Sequence, residues 1–107
     1  MHGTAFETID DATFDDVVAP GSGVVAVEFT AEWCGACRVM APALAQVAAE
    51  LEGAVRFVEV DADASPRTVA RFGVRGLPTL LVFRDGELVD QVIGAVPPRT
   101  LRDLLGR

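Results

Sequence analysis

One stretch, Val24-Val25-Ala26-Val27-Glu28-Phe29, limits the folds open to this chain more than any other. It is short, β-branched and apolar without alternation, the composition of a strand covered on both faces rather than one with a wet side. A strand of that kind belongs in the middle of a sheet. It also leads into a Cys-x-x-Cys segment, so whatever the cysteines do is done at the end of a central strand.

The neighbouring segments supply the rest of the architecture. Asp10 and Asp11 precede residues 12–19, where Phe14, Val17 and Val18 share a helical face and the acids suit a helix start. Pro20-Gly21-Ser22-Gly23 breaks the chain in a turn. Residues 39–51 have helical spacing and stop before Gly53. Val55-Arg56-Phe57-Val58-Glu59-Val60 alternates as a strand, and Ser65-Pro66 opens a short helix to about residue 72, proline being well placed at the first helical position. Residues 79–83 and 87–92 flank Arg84-Asp85-Gly86, whose Asp-Gly pair makes them an antiparallel hairpin, and a last helix covers about 98–105. The order βαβαβαββα describes an α/β sandwich with a mixed sheet, because strands and helices alternate at first and the closing hairpin is antiparallel.

A length of 107 residues predicts one domain, 1–107, and half the residues being hydrophobic against 23% charged predicts a packed interior. Acids outnumber bases 16 to 9, for a net charge of −7, and no basic run occurs, which argues against nucleic acid and anionic membranes as partners. The start, Met1-His2-Gly3-Thr4-Ala5-Phe6-Glu7, lacks the charged and apolar regions of a signal peptide. No stretch approaches the roughly 18 apolar residues of a membrane-spanning helix. The expected location is cytoplasmic.

Trp33-Cys34-Gly35-Ala36-Cys37 carries the chemistry. Where a strand gives way to a helix, free N–H groups and the positive end of the helix dipole favour a thiolate, which makes Cys34 the nucleophile. Cys37, one helical turn on, is placed to attack the Cys34 sulfur and resolve a mixed disulfide. A structural disulfide, half of a metal site and two plain core cysteines are the competing readings. Metal binding is disfavoured because His2 is the only histidine and lies far away in sequence, so no metal site is expected. Glu28, an acid in an apolar strand, is either at an exposed position or buried with a shifted pKa. Gly76-Leu77-Pro78 reads locally as an ordinary trans turn.

Val27-Glu28-Phe29-Thr30-Ala31-Glu32-Trp33-Cys34-Gly35-Ala36-Cys37 resembles the active-site segment of the thioredoxin family, and Asp63-Ala64-Ser65-Pro66, Val74-Arg75-Gly76-Leu77-Pro78-Thr79-Leu80, Gly86 and Gly94 follow in family order. The resemblance spans nearly the whole chain. It implies the thioredoxin fold, a central five-stranded mixed sheet flanked by four helices, and reduction of target-protein disulfides by dithiol exchange. Electrons would come from a separate thioredoxin reductase, with the protein a monomer holding no bound cofactor. It further implies that Pro78 is cis and faces the sulfurs, and that Glu28 is a buried proton acceptor for Cys37, acting directly or through water. Trp33, Gly35, Ala36, Arg75, Gly76, Leu77 and Gly94 would form the substrate groove, with the Leu77 backbone pairing with an extended target segment.

Two departures stand out. The family often has lysine where this chain has Glu59, and the chain contains no lysine at all. If Glu59 approaches Glu28, the two carboxyls cannot both ionise cheaply and their titrations couple. Ala36 stands where proline is usual; its restored N–H is expected to favour the Cys34 thiolate and make the couple more oxidising.

Overall fold

The computed structural model describes residues 6–106, so His2 and the rest of the first five residues lie outside the described part. Nine elements follow in the order β1 Glu7–Ile9, α1 Phe14–Val17, β2 Val24–Thr30, α2 Gly35–Glu50, β3 Val55–Asp61, α3 Pro66–Arg71, β4 Thr79–Arg84, β5 Glu87–Ile93 and α4 Pro98–Leu105. They form one five-stranded sheet in the spatial order β1-β3-β2-β4-β5. β1, β3 and β2 are parallel, while β4 runs antiparallel to β2 and β5 to β4. The sheet is thus mixed, five-stranded and flanked by four helices, as the resemblance implied.

The strand Val24–Thr30 is the middle of the sheet, and its alternating side chains feed two cores. Val25, Val27 and Phe29 pack with Phe14 and Val17 of α1 and with Val69 and Phe72 near α3. Ala26 packs on the opposite face with Met40, Leu44 and Val47 of α2 and Leu101, Leu104 and Leu105 of α4. Burial on both faces explains why this strand shows no polar alternation. Glu28 has the same parity as Ala26 and therefore points into the layer between the sheet and α2.

The hairpin and the proline-glycine breaker, separate signals in the sequence, meet in space. Asp85 and Gly86 have φ of 51° and 87°, the left-handed pair of a tight hairpin turn. Gly23 N–H donates to Asp85 Oδ1 at 3.0 Å, and Asp85 N–H donates to the Gly23 carbonyl at 2.8 Å. A Cβ on Gly86 would lie 2.9 Å from the Pro20 nitrogen, so the turn sits directly against the breaker.

The first helix is shorter than the spacing predicts, and only one of its two acids serves it. Asp10 Oδ1 accepts N–H bonds from Ala12 and Thr13, ordering the turn into α1. Asp11 instead reaches across to α3, where its carboxylate accepts from the N–H groups of Arg67 and Thr68 and from Thr68 Oγ1 at 3.1, 2.8 and 2.6 Å. These bonds hold the Asp11 pKa below its ordinary value of 3.8. Because the folded pKa is depressed, its stabilisation is present at neutral pH and is lost as pH falls through the acid range. Asp11→Ala is therefore expected to lower the urea midpoint at pH 7 and to have much less effect near pH 2, where parent and variant are compared by the same denaturation curves.

Candidate active site

β2 ends at Thr30, and the chain turns through Ala31, Glu32 and Trp33 into α2. Two bonds shape this turn: Cys34 N–H donates to the Ala31 carbonyl at 3.1 Å, and Arg38 Nη1 donates to the Glu32 carbonyl at 2.6 Å. Cys34 is the N-cap of α2, with extended backbone, and its Sγ accepts the N–H of Cys37 at 3.1 Å. A helix-terminal N–H aimed at sulfur is the arrangement that lowers a thiol pKa. That N–H belongs to Cys37, whereas the sequence reading assigned the donor role to Ala36.

Cys34 and Cys37 are joined in a disulfide with Cα atoms 5.3 Å apart. Cys34 is 5% exposed and Cys37 1%. Ala31 and the two cysteines form a small cluster of their own, and Leu77 packs against it. The Leu77-Pro78 peptide is cis, where local statistics alone favour trans. Thr79 Oγ1 donates to the Gly76 carbonyl at 2.6 Å, and Gly94 N–H donates to the Pro78 carbonyl at 2.8 Å, which ties the end of β5 to this loop. Gly94 has φ of 91°, a conformation that glycine adopts without strain.

Two large apolar side chains are exposed, one adjoining Cys34 and one beside the Gly76 loop. Trp33 is 67% exposed, although its Nε1 is anchored on Asp63 Oδ2 at 2.7 Å. Ile93 is also exposed and lies beside Gly76, where a Cβ would meet it at 3.6 Å. Gly35, Ala36 and Arg75 are exposed, while Gly76, Leu77 and Gly94 are half-buried. Of the seven residues, Trp33, Gly35 and Ala36 adjoin the cysteines in the chain, Leu77 packs on them, Arg75 and Gly76 precede Leu77 in its loop, and Gly94 is bonded to Pro78. Asp63, as the anchor of Trp33, and Ile93, as part of the rim, were not singled out from sequence. An aspartate two residues past a strand and an isoleucine at a strand end carry no local signal of such roles.

A carboxyl is buried in the central strand β2, which leads into the cysteine segment. Glu28 is 2% exposed, which excludes the exposed-strand alternative. Burial, and then the nearby Glu59, push its pKa from 4.5 up to about 8. Among the described residues no cluster of His, Cys, Asp and Glu is arranged to hold a metal, and no helix is long and apolar enough to cross a membrane.

A Cys-x-x-Cys disulfide at a helix N-terminus, packed against the loop of a cis proline, defines a thiol-disulfide oxidoreductase. A family model described as Thioredoxin matches residues 5–107. The chain is 39% identical over 102 residues to Thioredoxin 1 of Nostoc sp., covering 95% of each chain. It is 42% identical over 103 residues to thioredoxin of Staphylococcus aureus, covering 96% of this chain and 97% of the relative. It is also 39% identical over 102 residues to thioredoxin of Synechocystis sp., with 95% of each covered. The chain belongs to the thioredoxin family and is a protein-disulfide reductase.

Proposed function

We propose that the chain works as a single-domain, monomeric, cytoplasmic electron carrier in cell redox homeostasis, taking electrons from a thioredoxin reductase and passing them to disulfides of target proteins. The observation that carries this reading is Cys34 at the N-cap of α2 with a backbone N–H on its sulfur. Such a site stabilises a thiolate at neutral pH. Cys34 attacks the target disulfide, one target thiolate leaves, and a mixed disulfide forms. Cys37 then gives up its proton and attacks Cys34 Sγ, releasing the second target thiolate. Two electrons pass from the enzyme dithiol to the target, and the enzyme is left with the disulfide seen in the structure.

In this reading Glu28 accepts the Cys37 proton and, in the reverse step, returns it when the reductase opens the disulfide. The target segment lies across Trp33, Gly35, Ala36, Arg75, Gly76, Leu77 and Gly94, with Pro78 closing the site beside the sulfurs. Two observations support the groove. Neither backbone group of Leu77 has a backbone partner among the described residues, and a free N–H and carbonyl are what strand addition requires. Leu77 also packs on the cysteine cluster, so a strand paired there passes close to the sulfurs.

The test is the equilibrium reduction potential of Cys34 and Cys37 in defined thiol buffers, followed by Trp33 fluorescence. A value near about −270 mV, the reference for this family, is the expected result for a reductant. A value at about −180 mV or above would overturn the proposed direction of electron flow in favour of an oxidant or isomerase.

A further inference from the structure

The N–H of Val96 donates to the sulfur of Met40 at 3.4 Å. Met40 is 1% exposed on α2, one helical turn beyond Cys37 and, like it, on the buried side of that helix. Val96 lies in the connection between β5, which ends at Ile93, and α4, which begins at Pro98. The helix that carries the cysteines thus holds the backbone of a loop arriving from the edge strand of the sheet.

The same loop borders the proposed target groove. Among the described residues its backbone N–H groups are engaged at two points: Gly94 donates to the Pro78 carbonyl at 2.8 Å, and Val96 donates to Met40. A line of contacts therefore runs from α2 through Met40, Val96 and Gly94 to Pro78. It closes on itself, because Leu77, next to Pro78, packs on the cysteine cluster at the start of α2. We propose that Met40 is a positioning residue for target binding: its thioether fixes the separation between the cysteine helix and the Gly94 loop, and so the width of the groove in which a target segment pairs with Leu77. The inference rests on the target groove proposed above.

The sulfur, rather than the bulk of the side chain, is what this role needs. Val96 is half-buried and packs on the core that Met40 shares with Leu44 and Leu101. Leucine side chains have no acceptor, whereas a thioether on an unbranched chain fills a core gap and accepts a weak hydrogen bond. Without it the Val96 N–H loses its partner at the border of the core, where an unmade hydrogen bond is costly. The solvent side gives the loop no second support, because the groove between it and α2, lined by Val39, Ala43, Ala95 and Pro97, is open and Val39 is 74% exposed.

Met40 acts on binding and leaves the exchange chemistry alone. It belongs to the core under α2, whereas the two cysteines form a cluster of their own with Ala31. A disulfide too small to span the groove meets only Cys34 and is indifferent to the position of the Gly94 loop. A disulfide carried on an extended peptide uses both walls of the groove and is sensitive to it.

The chain has only two methionines, Met1 and Met40, so the full protein is prepared with methionine, with selenomethionine, which keeps an acceptor, and with norleucine, which replaces the sulfur by a methylene. Each reduced protein is mixed with two disulfides bearing the same coloured aromatic thiolate, one on the cysteine of a short extended apolar peptide and one on free cysteine. In both, Cys34 bonds to the cysteine sulfur and the coloured thiolate leaves. Norleucine should lower the peptide-to-cysteine rate ratio about threefold, the scale of one modest hydrogen bond, and leave the rate with free cysteine unchanged. Selenomethionine should match the parent. By hydrogen exchange, the Val96 amide should open several-fold faster with norleucine while the amides of β2 keep their rates. In Met40→Leu, where the change of medium alters only Met1, the same exchange of methionine for norleucine should be silent. An unchanged ratio, equal slowing of both disulfides, an unaltered Val96 amide or an effect that persists in Met40→Leu overturns the role of Met40. A parent that reacts no faster with the peptide than with free cysteine overturns the groove itself, and this inference with it.

Discussion

Serine in place of Cys37 is expected to arrest the protein on its target: the mixed disulfide forms on Cys34 and persists, because no second thiol is within reach to displace it. Mass spectrometry of a non-reducing digest should find Cys34 linked to the target. Serine in place of Cys34 should produce no adduct and cost roughly four orders of magnitude in disulfide reduction, the scale of loss when a nucleophile is removed. The asymmetry follows from position. Cys34 holds the helix N-cap and receives a backbone N–H on its sulfur, whereas Cys37 is the more deeply buried of the two. Adducts forming on Cys37 in the Cys34 variant as readily as on Cys34 in the Cys37 variant would refute the assigned roles.

Glu28→Leu is expected to make the protein more stable and slower. Below about pH 4.5 the acid is protonated in both folded and unfolded chains, so it contributes no pH dependence there. From that point up to about 8 the unfolded chain has released a proton that the folded chain still holds, and stability falls with rising pH by about 1.4 kcal/mol per unit. The loss reaches on the order of 4 to 5 kcal/mol above pH 8 and then levels off. Leucine, placed beside Leu80 and facing the Met40 and Leu44 layer, escapes this loss. Urea denaturation should therefore find parent and variant close at pH 4.5 and separated by several kcal/mol at pH 8.5, with the variant the more stable. Its release of target from the mixed disulfide should slow by about 10²-fold, the usual contribution of a positioned proton acceptor. A parent whose stability is flat between pH 5 and 8 would contradict a buried, protonated Glu28.

These two experiments separate what the site does from what it costs the fold. The cysteines are chemically necessary. Glu28 is an acid whose burial works against stability at the pH where the enzyme acts. Buried ionisable groups that weaken a core are characteristic of functional positions.

Much of the architecture was legible along the chain because each pattern was local. The apolar run of β2, the Asp85-Gly86 turn and the proline opening α3 owe their readings to residues within a few positions. β1 was harder to place: Glu7–Ile9 buries only Ile9, too little for a period to register, and it is fixed by pairing with β3. Helix α1 was predicted too long, and Asp11 was assigned to it because proximity in sequence outweighed a partner on α3 more than fifty positions away.

The sequence alone determined the layered fold through its strand and helix patterns, and the class of chemistry through the family motifs that accompany the cysteine pair, since Cys-x-x-Cys by itself left structural and metal-binding readings open. It did not decide the state of the acid at position 28, which was compatible with either an exposed or a buried side chain. The sheet order decided it, by placing β2 in the middle with Glu59 in register on one side and Leu80 on the other. A pKa depends on what is brought close in three dimensions, and strand register, a property of pairing rather than of either strand, sets that distance.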